Sequence, residues 1–298
     1  MNADLELFIR QLINGLNTGS IYALIAIGYT MVYGIIKLIN FAHGEIMMFG
    51  AYFAFLFATT IPTDLPFLVI VIMAMVLAAL MGVATEKIAY KRLRTAPRIS
   101  ALITAIGMSL FLQNLALLIF KPQPKVMPEL ISKKAIIIFG IGVPQITLYT
   151  IGISILMMII LSIFIKKTKA GKAMRAVSQD KDAAMLMGIN VDGIISLTFA
   201  IGSALGALGG VFYSIAYTQV YPTMGVMPGL KAFIAAVFGG IGNVGGAMLG
   251  GYVIGIIETM TKGYISSRWA DALVFGILIL VLLFKPSGIL GKNVKEKV

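Results

Sequence analysis

Apolar residues fill this chain in long blocks separated by short polar stretches, and the blocks set its architecture. They lie at 12–36, 44–60, 66–89, 99–120, 148–165, 193–217 and 270–284, with an interrupted block at 229–260. About 20 apolar residues, rising about 1.5 Å each in a helix, cover the roughly 30 Å hydrocarbon core of a bilayer. Uncharged runs such as Phe67 to Ala84 meet that length. The pattern predicts an all-α, polytopic integral membrane protein with about 8–9 membrane segments, some broken or re-entrant. Residues 1–298 read as a single transmembrane domain.

Two blocks are broken. KLINFAHGE (Lys37 to Glu45) interrupts an apolar stretch running from Ile21 to Phe57, with Asn40 placed to cap the helix that follows. Later, AAVFGGIGNVGGAMLGG (235–251) sets Gly239, Gly240, Gly242, Gly245 and Gly246 close together, which is poor helix. It predicts separate segments at 229–238 and 244–260, the first short or re-entrant. Non-helical backbone at membrane depth is tolerated only where protein buries it or where it lines a cavity, and paired broken helices mark substrate paths in transporters. The path candidates are therefore Asn40, His43, Glu45, Gly239, Gly240 and Asn243. Glycines at Gly202, Gly206 and Gly210, and at Gly250, Gly251 and Gly255, suit close backbone packing of helices.

Charge orients the spans. Lys87, Lys91, Arg92, Arg94 and Arg98 lie between the third and fourth, further basic residues fill 166–181, and Lys285, Lys292, Lys295 and Lys297 follow the last. The positive-inside rule assigns all three groups to the cytoplasm. Counting crossings then puts the N-terminus, with Asp4 and Glu6, outside, and the C-terminus returns to the cytoplasm only if 229–260 breaks the parity. The acidic opening MNADLELFIR lacks the basic start of a cleaved signal, so the first span is expected to be retained. The loop Lys121 to Thr147, with Pro122, Pro124, Pro128 and Pro144, is the expected landing place for an extracytoplasmic partner.

Composition excludes several classes. Hydrophobic residues make up 59% and charged residues 12%, against roughly 25% charged in soluble domains. The net charge of +12 sits in short loops beside apolar spans, so it reports topology and membrane contact rather than nucleic-acid binding. With no cysteine and one histidine, neither a thiolate nor a histidine metal site can form, and no cofactor is expected. There is no G-x-x-x-x-G-K-[ST] loop for ATP phosphates, no Ser-His-Asp set and no paired acids at helical spacing, so an intramembrane enzyme ranks last.

The long polar island KKTKAGKAMRAVSQDKDAAMLMGINVD (Lys166 to Asp192) holds no proline and should be ordered. Asp180 is a good N-cap, Asp182 suits the first turn, and Gly188 suits a left-handed helix end. These signals predict a short helix, Lys181 to Met187, with an apolar side outside any span. A partner's cleft would take Ala183, Ala184, Met185 and Leu186, steered by Arg175 and Lys181.

Other polar residues have plainer readings. His43 fits a hydrogen-bonded first-turn residue, and Gln113 and Asn114 fit hydrogen bonds between helices. Glu258 fits an interface with Lys262 one turn on, while Glu45 either snorkels or faces a water-filled path. No acid is expected in the middle of a confident span, which disfavours proton coupling and makes an external energy source attractive.

Two stretches, NFAHGEIMMFGAY (Asn40 to Tyr52) and FGGIGNVGGAMLGG (Phe238 to Gly251), resemble the permeases of branched-chain amino acid ABC importers of the LivH type, and the resemblance runs nearly end to end. RAVSQDKDAAMLMGIN (Arg175 to Asn190) is similar to that family's cytoplasmic coupling segment, the counterpart of the EAA loop of other importers. It has Asp182 where a glutamate would begin that triplet and ends in Gly188-Ile189-Asn190. The resemblance implies a multi-pass inner-membrane permease with four partners: a second homologous permease, two ATP-binding cassette subunits and an extracytoplasmic substrate-binding protein. It implies alternating access driven by their ATP hydrolysis, for leucine, isoleucine and valine, or for urea or short-chain amides on the same scaffold. The competing class is a stand-alone ion-coupled secondary transporter.

Overall fold

The computed structural model describes residues 3–61, 65–94, 96–132, 134–138 and 140–291. The tail lysines 292, 295 and 297 lie outside them. Among the described residues, seven helices are long and apolar enough to cross a membrane. The described chain runs α1 (Ala3–Ile36), α2 (His43–Thr60), α3 (Phe67–Thr85), α4 (Arg98–Phe120), α5 (Gln145–Lys167), α6 (Lys169–Gln179), α7 (Lys181–Leu186), α8 (Val191–Ala216), α9 (Val226–Gly239), α10 (Val244–Tyr264) and α11 (Ser267–Phe284). The all-α expectation holds apart from short strands: β1 (Lys125–Val126) pairs antiparallel with β4 (Gln219–Val220), and β2 (Ala135–Ile138) with β3 (Ile141–Pro144). That hairpin, in the loop after α4, was not anticipated.

Small residues determine how the helices meet, because in lipid the apolar effect does not drive helix against helix and close packing must. α1 forms the axis. Gly19 lies against Gly255 and Tyr252, and Gly251 against Ala23, so α1 and α10 run antiparallel at backbone contact. Gly50 and Gly210 let α2 and α8 close on each other, and Gly82 brings α3 onto Ser203 of α8. Tyr252 joins three helices through its hydroxyl, 3.1 Å from Ser20 Oγ and 2.7 Å from Ser154 Oγ. Such hydrogen bonds between helices contribute about 0.6 kcal/mol each in a bilayer. Asn114 departs from its expected role: its Nδ2 donates to Leu110 of its own helix at 2.7 Å.

The third span runs past the expected loop boundary. After α3 the chain widens into a π-turn over Glu86–Tyr90 and tightens into a 3₁₀ turn over Lys91–Leu93. This buries Glu86 completely, where it accepts from Ser196 at 2.8 Å and pairs with Arg94. Arg94 also pairs with Asp192, and Lys91 reaches the same carboxylate at 2.7 Å. The basic cluster therefore fastens α3 to the start of α8 as well as reporting topology.

The region 229–260 contains two antiparallel helices, as its glycines demand. Gly239 lies on the carbonyl of Gly246 and Gly250 on that of Ala235, and Gly242 sits beside Gly34 near the end of α1. The turn thus lies at the end of the bundle that carries the polar island, rather than at the middle. α10 runs back along α1, and the segment after α11 returns to the turn, with Ile289 donating to Phe238 and Leu290 to Gly239. The region therefore holds two separate helical segments, the first of them short, as expected.

Candidate functional site

The polar island is helical almost throughout. Thr168 caps α6 by accepting from Gly171 N at 3.0 Å, and Gly171 lets α6 fold back under the carbonyls that end α5. Gly171, Met174 and Val177 form its buried stripe, so the basic residues before the α7 cap lie on a packed amphipathic helix. Asp180 ends α6 and caps α7, accepting from Asp182 N at 2.9 Å and Ala183 N at 3.0 Å. At the other end Gly188 has φ +79°, Gly188 N donates to Met185 O, and Ile189 N donates to Ala184 O. This pair of bonds is a Schellman termination.

The tip presents a particular side. Leu186 is 89% exposed and Met187 82%, with Met185 and Ala183 also exposed, whereas Ala184 is only 4% exposed and packs inward beneath α6 and α8. Arg175 donates to the Ile165 carbonyl at the end of α5. Lys181 is half-buried and its ammonium is held below the usual lysine range, first by burial and then by nearby Arg94. The geometry therefore separates the expected contact set: Ala183, Met185 and Leu186 face out, while Ala184 faces the chain's own core.

At the first break, residues 37–42 are non-helical and climb from the end of α1 back along it. Lys37 starts this stretch at φ +60°. α2 then begins inside the bundle: His43 packs on Gly28 and Gly206, and Glu45 accepts from Ser109, midway along α4, at 3.1 Å. Asn40 does not cap α2 with its side chain; its Oδ1 accepts from Tyr90 at 2.9 Å, and the cap position is Ala42. His43 Nε2 donates to the Ile25 carbonyl at 3.2 Å, beside the Tyr29 ring at 4.4 Å, and Nδ1 has no partner. A cavity of about 170 Å³ opens here, lined by Tyr29, Glu45, Ser109, Leu110, Val226 and Leu230 among others.

The structure thus brings Asn40, His43 and Glu45 to one neighbourhood and leaves Gly239, Gly240 and Asn243 at the far turn. Asn243 caps α10, accepting from Gly246 N at 3.2 Å, and donates to Leu290 O at 3.1 Å. Gly240, at φ +100°, is covered by Leu290 and Gly291.

Sequence reasoning missed one cluster. Glu258 is buried rather than interfacial: Lys231 donates to it at 2.8 Å, Lys262 at 2.6 Å and Tyr22 at 2.8 Å, while Lys231 also meets Asp271 at 2.7 Å. Glu45, in the first turn of α2, and Glu258, near the end of α10, are both buried within the bundle although neither stands at the middle of its helix. Lys231, buried in an apolar helix, was the available signal, since such a cation requires a nearby acid.

Helices that start within a helical bundle, beside a mainly apolar cavity that holds one acid, follow a pattern found in membrane transporters. The family described as branched-chain amino acid transport system / permease component matches residues 11–283, and the chain belongs to it. It is 42% identical to the high-affinity branched-chain amino acid transport system permease protein LivH of Escherichia coli K12, over 100% of both chains. Identity to the corresponding protein BraD of Pseudomonas aeruginosa is also 42%, over 98% of each. A probable branched-chain amino acid transport permease protein LivM of Methanocaldococcus jannaschii is 28% identical over 42% of this chain and 41% of that one.

Proposed function

We propose that this chain is one permease subunit of an ABC importer that brings branched-chain amino acids across the inner membrane. A second, homologous permease completes the pathway, two ATP-binding cassette subunits supply hydrolysis, and an extracytoplasmic binding protein delivers substrate. Full-length similarity to the LivH and BraD proteins supports the substrate class, and the partial match to a LivM protein supports a related second permease. In this reading the α6–α7 end is cytoplasmic, the N-terminus is outside, and the segment after α11 returns to the cytoplasm.

The observation that carries the mechanism is the tip of α7. A short helix, capped at both ends and fastened through α6 to α5 and α8, leaves Met185, Leu186 and Met187 exposed beyond the bundle. Large apolar side chains exposed together mark an interaction surface. Docked in an ATPase cleft, the rigid tip would pass that subunit's movement to the spans, rocking the paired permeases between outward-open and inward-open states.

The test is uptake of leucine, isoleucine and valine into vesicles holding the reconstituted complex. Uptake should require ATP, the ATPase subunits and the binding protein, and should survive collapse of ion gradients. Gradient-driven uptake by this chain alone would sink the reading, while uptake of urea or acetamide in place of leucine would move the substrate class. Leu186→Asp is the docking probe: the ATPase subunits should no longer co-purify although the chain remains inserted. Ala184→Asp tests folding of the tip instead, because it buries a charge within the chain.

A further inference from the structure

The cavity between α2, α4 and α9 has three walls of different chemistry. One is Glu45, 3% exposed, with Oε1 held by Ser109 at 3.1 Å and Oε2 without a hydrogen-bond partner. Among the described residues it forms no ion pair, unlike Glu86 and Glu258, which are each neutralised by bases. A buried carboxylate with an idle oxygen is costly unless a cation or donor completes it.

The second wall is the start of α9. Gly225 and Val226 line the cavity, and this helix begins with no side-chain cap and no acid in its first turn. A helix N-terminus carries a partial positive charge that favours an anion; at this one Val226 N already donates to Thr223 O and Pro228 has no N–H, so the favourable term is the dipole rather than a set of free donors. The third wall is apolar, formed by Ile106, Leu110 and Leu230. An acidic group, an uncapped helix start and an aliphatic surface around one space match a neutral zwitterion with an aliphatic side chain better than either a cation or an anion.

We propose that this cavity is a transit site for the amino acid itself. Glu45 receives the α-ammonium group, the positive end of the α9 dipole faces the α-carboxylate, and Leu110 and Leu230 lie against the side chain. The inference rests on the importer reading and adds the contacts that the permease makes with its cargo. A substrate lacking the ammonium leaves Glu45 unpaired and is rejected, because losing one partner of a buried charged hydrogen bond costs tenfold or more, about 1.5–3 kcal/mol.

The chain contains no cysteine, so one introduced thiol reports on one place. In the assembled importer, Leu110→Cys should react with N-ethylmaleimide about tenfold more slowly when leucine is present, and 4-methylpentanoate, which lacks the ammonium, should give no protection. Leu118→Cys, exposed further along α4, should react at one rate throughout. Adding Glu45→Gln to Leu110→Cys should remove the protection, and Glu45→Asp should restore part of it. A monodisperse complex with unchanged Leu118→Cys labelling shows that the Glu45 variants are folded. Equal protection by 4-methylpentanoate, or full protection in Glu45→Gln, overturns the site. So does absence of leucine protection in a preparation whose wild type takes up leucine with ATP. If that wild type takes up no branched-chain amino acid, the importer reading has failed as well.

Discussion

Residues 37–42 and residues 240–243 both interrupt apolar helix, and the chain treats them in opposite ways. At the first, backbone travels into the bundle and delivers Glu45 to a cavity, with His43 packed against Tyr29 of its wall, each of the two side chains keeping one polar atom without a partner. At the second, a tight turn sits at the end of the bundle, Asn243 satisfies both of its neighbours, and residues 289–291 cover the glycines. The first break keeps unspent hydrogen-bonding capacity, whereas at the second both ends of the Asn243 amide are engaged. A helix break alone therefore does not mark a substrate site; an unsatisfied polar group beside open space does.

The helix α9 joins the two breaks, since Gly225 at its start touches Gly44 and Gly239 at its end touches Gly246. Four substitutions test the contrast, and the largest effect belongs to the sealed break. Gly239→Val drives a branched side chain into the Gly246 backbone and should cost about 3 kcal/mol. Fluorescence-detected size exclusion should show loss of most monodisperse protein; a normal peak with normal thermal stability would mean the turn is not closely packed. Lys231→Met should cost about 2 kcal/mol, below the usual penalty for breaking a buried pair, because Glu258 keeps Lys262 and Tyr22. A lowered melting temperature in detergent is the readout, and an unchanged one removes the lysine's role in holding α9.

The two smallest effects make the sharpest pair. Asn243→Ala removes a cap and one hydrogen bond at the sealed turn, and His43→Asn removes one hydrogen bond at the open one; each should cost about 1 kcal/mol. Uptake should fall about tenfold for His43→Asn alone. Equal loss of uptake in both would erase the distinction between the breaks.

Much of this was legible from residue order. Span positions followed from runs of apolar residues, and both ends of α7 followed from Asp180 and Gly188, because capping is decided within a few residues. The parity count demanded two segments in 229–260 and the fold supplied them. The π-turn at Glu86, the amphipathic α6 and the Lys231–Glu258 pair were not read, since each depends on partners distant in sequence. Asn40 shows the same limit: its position suggested a cap, and Tyr90, brought alongside by the π-turn after α3, claimed it instead.

The sequence by itself therefore determined that the chain lives in a membrane, where its long apolar segments lie and how the tip of α7 is capped. These follow from hydrophobic length and from short-range hydrogen bonding, which need only neighbouring residues. Tertiary structure alone decided which break opens on a cavity, that Ala184 faces inward while Leu186 faces out, and that Glu258 is neutralised while Glu45 is not. The reason is that a polar group's fate in a low-dielectric interior is set by whichever partners packing brings within about 3 Å, and those partners come from other helices.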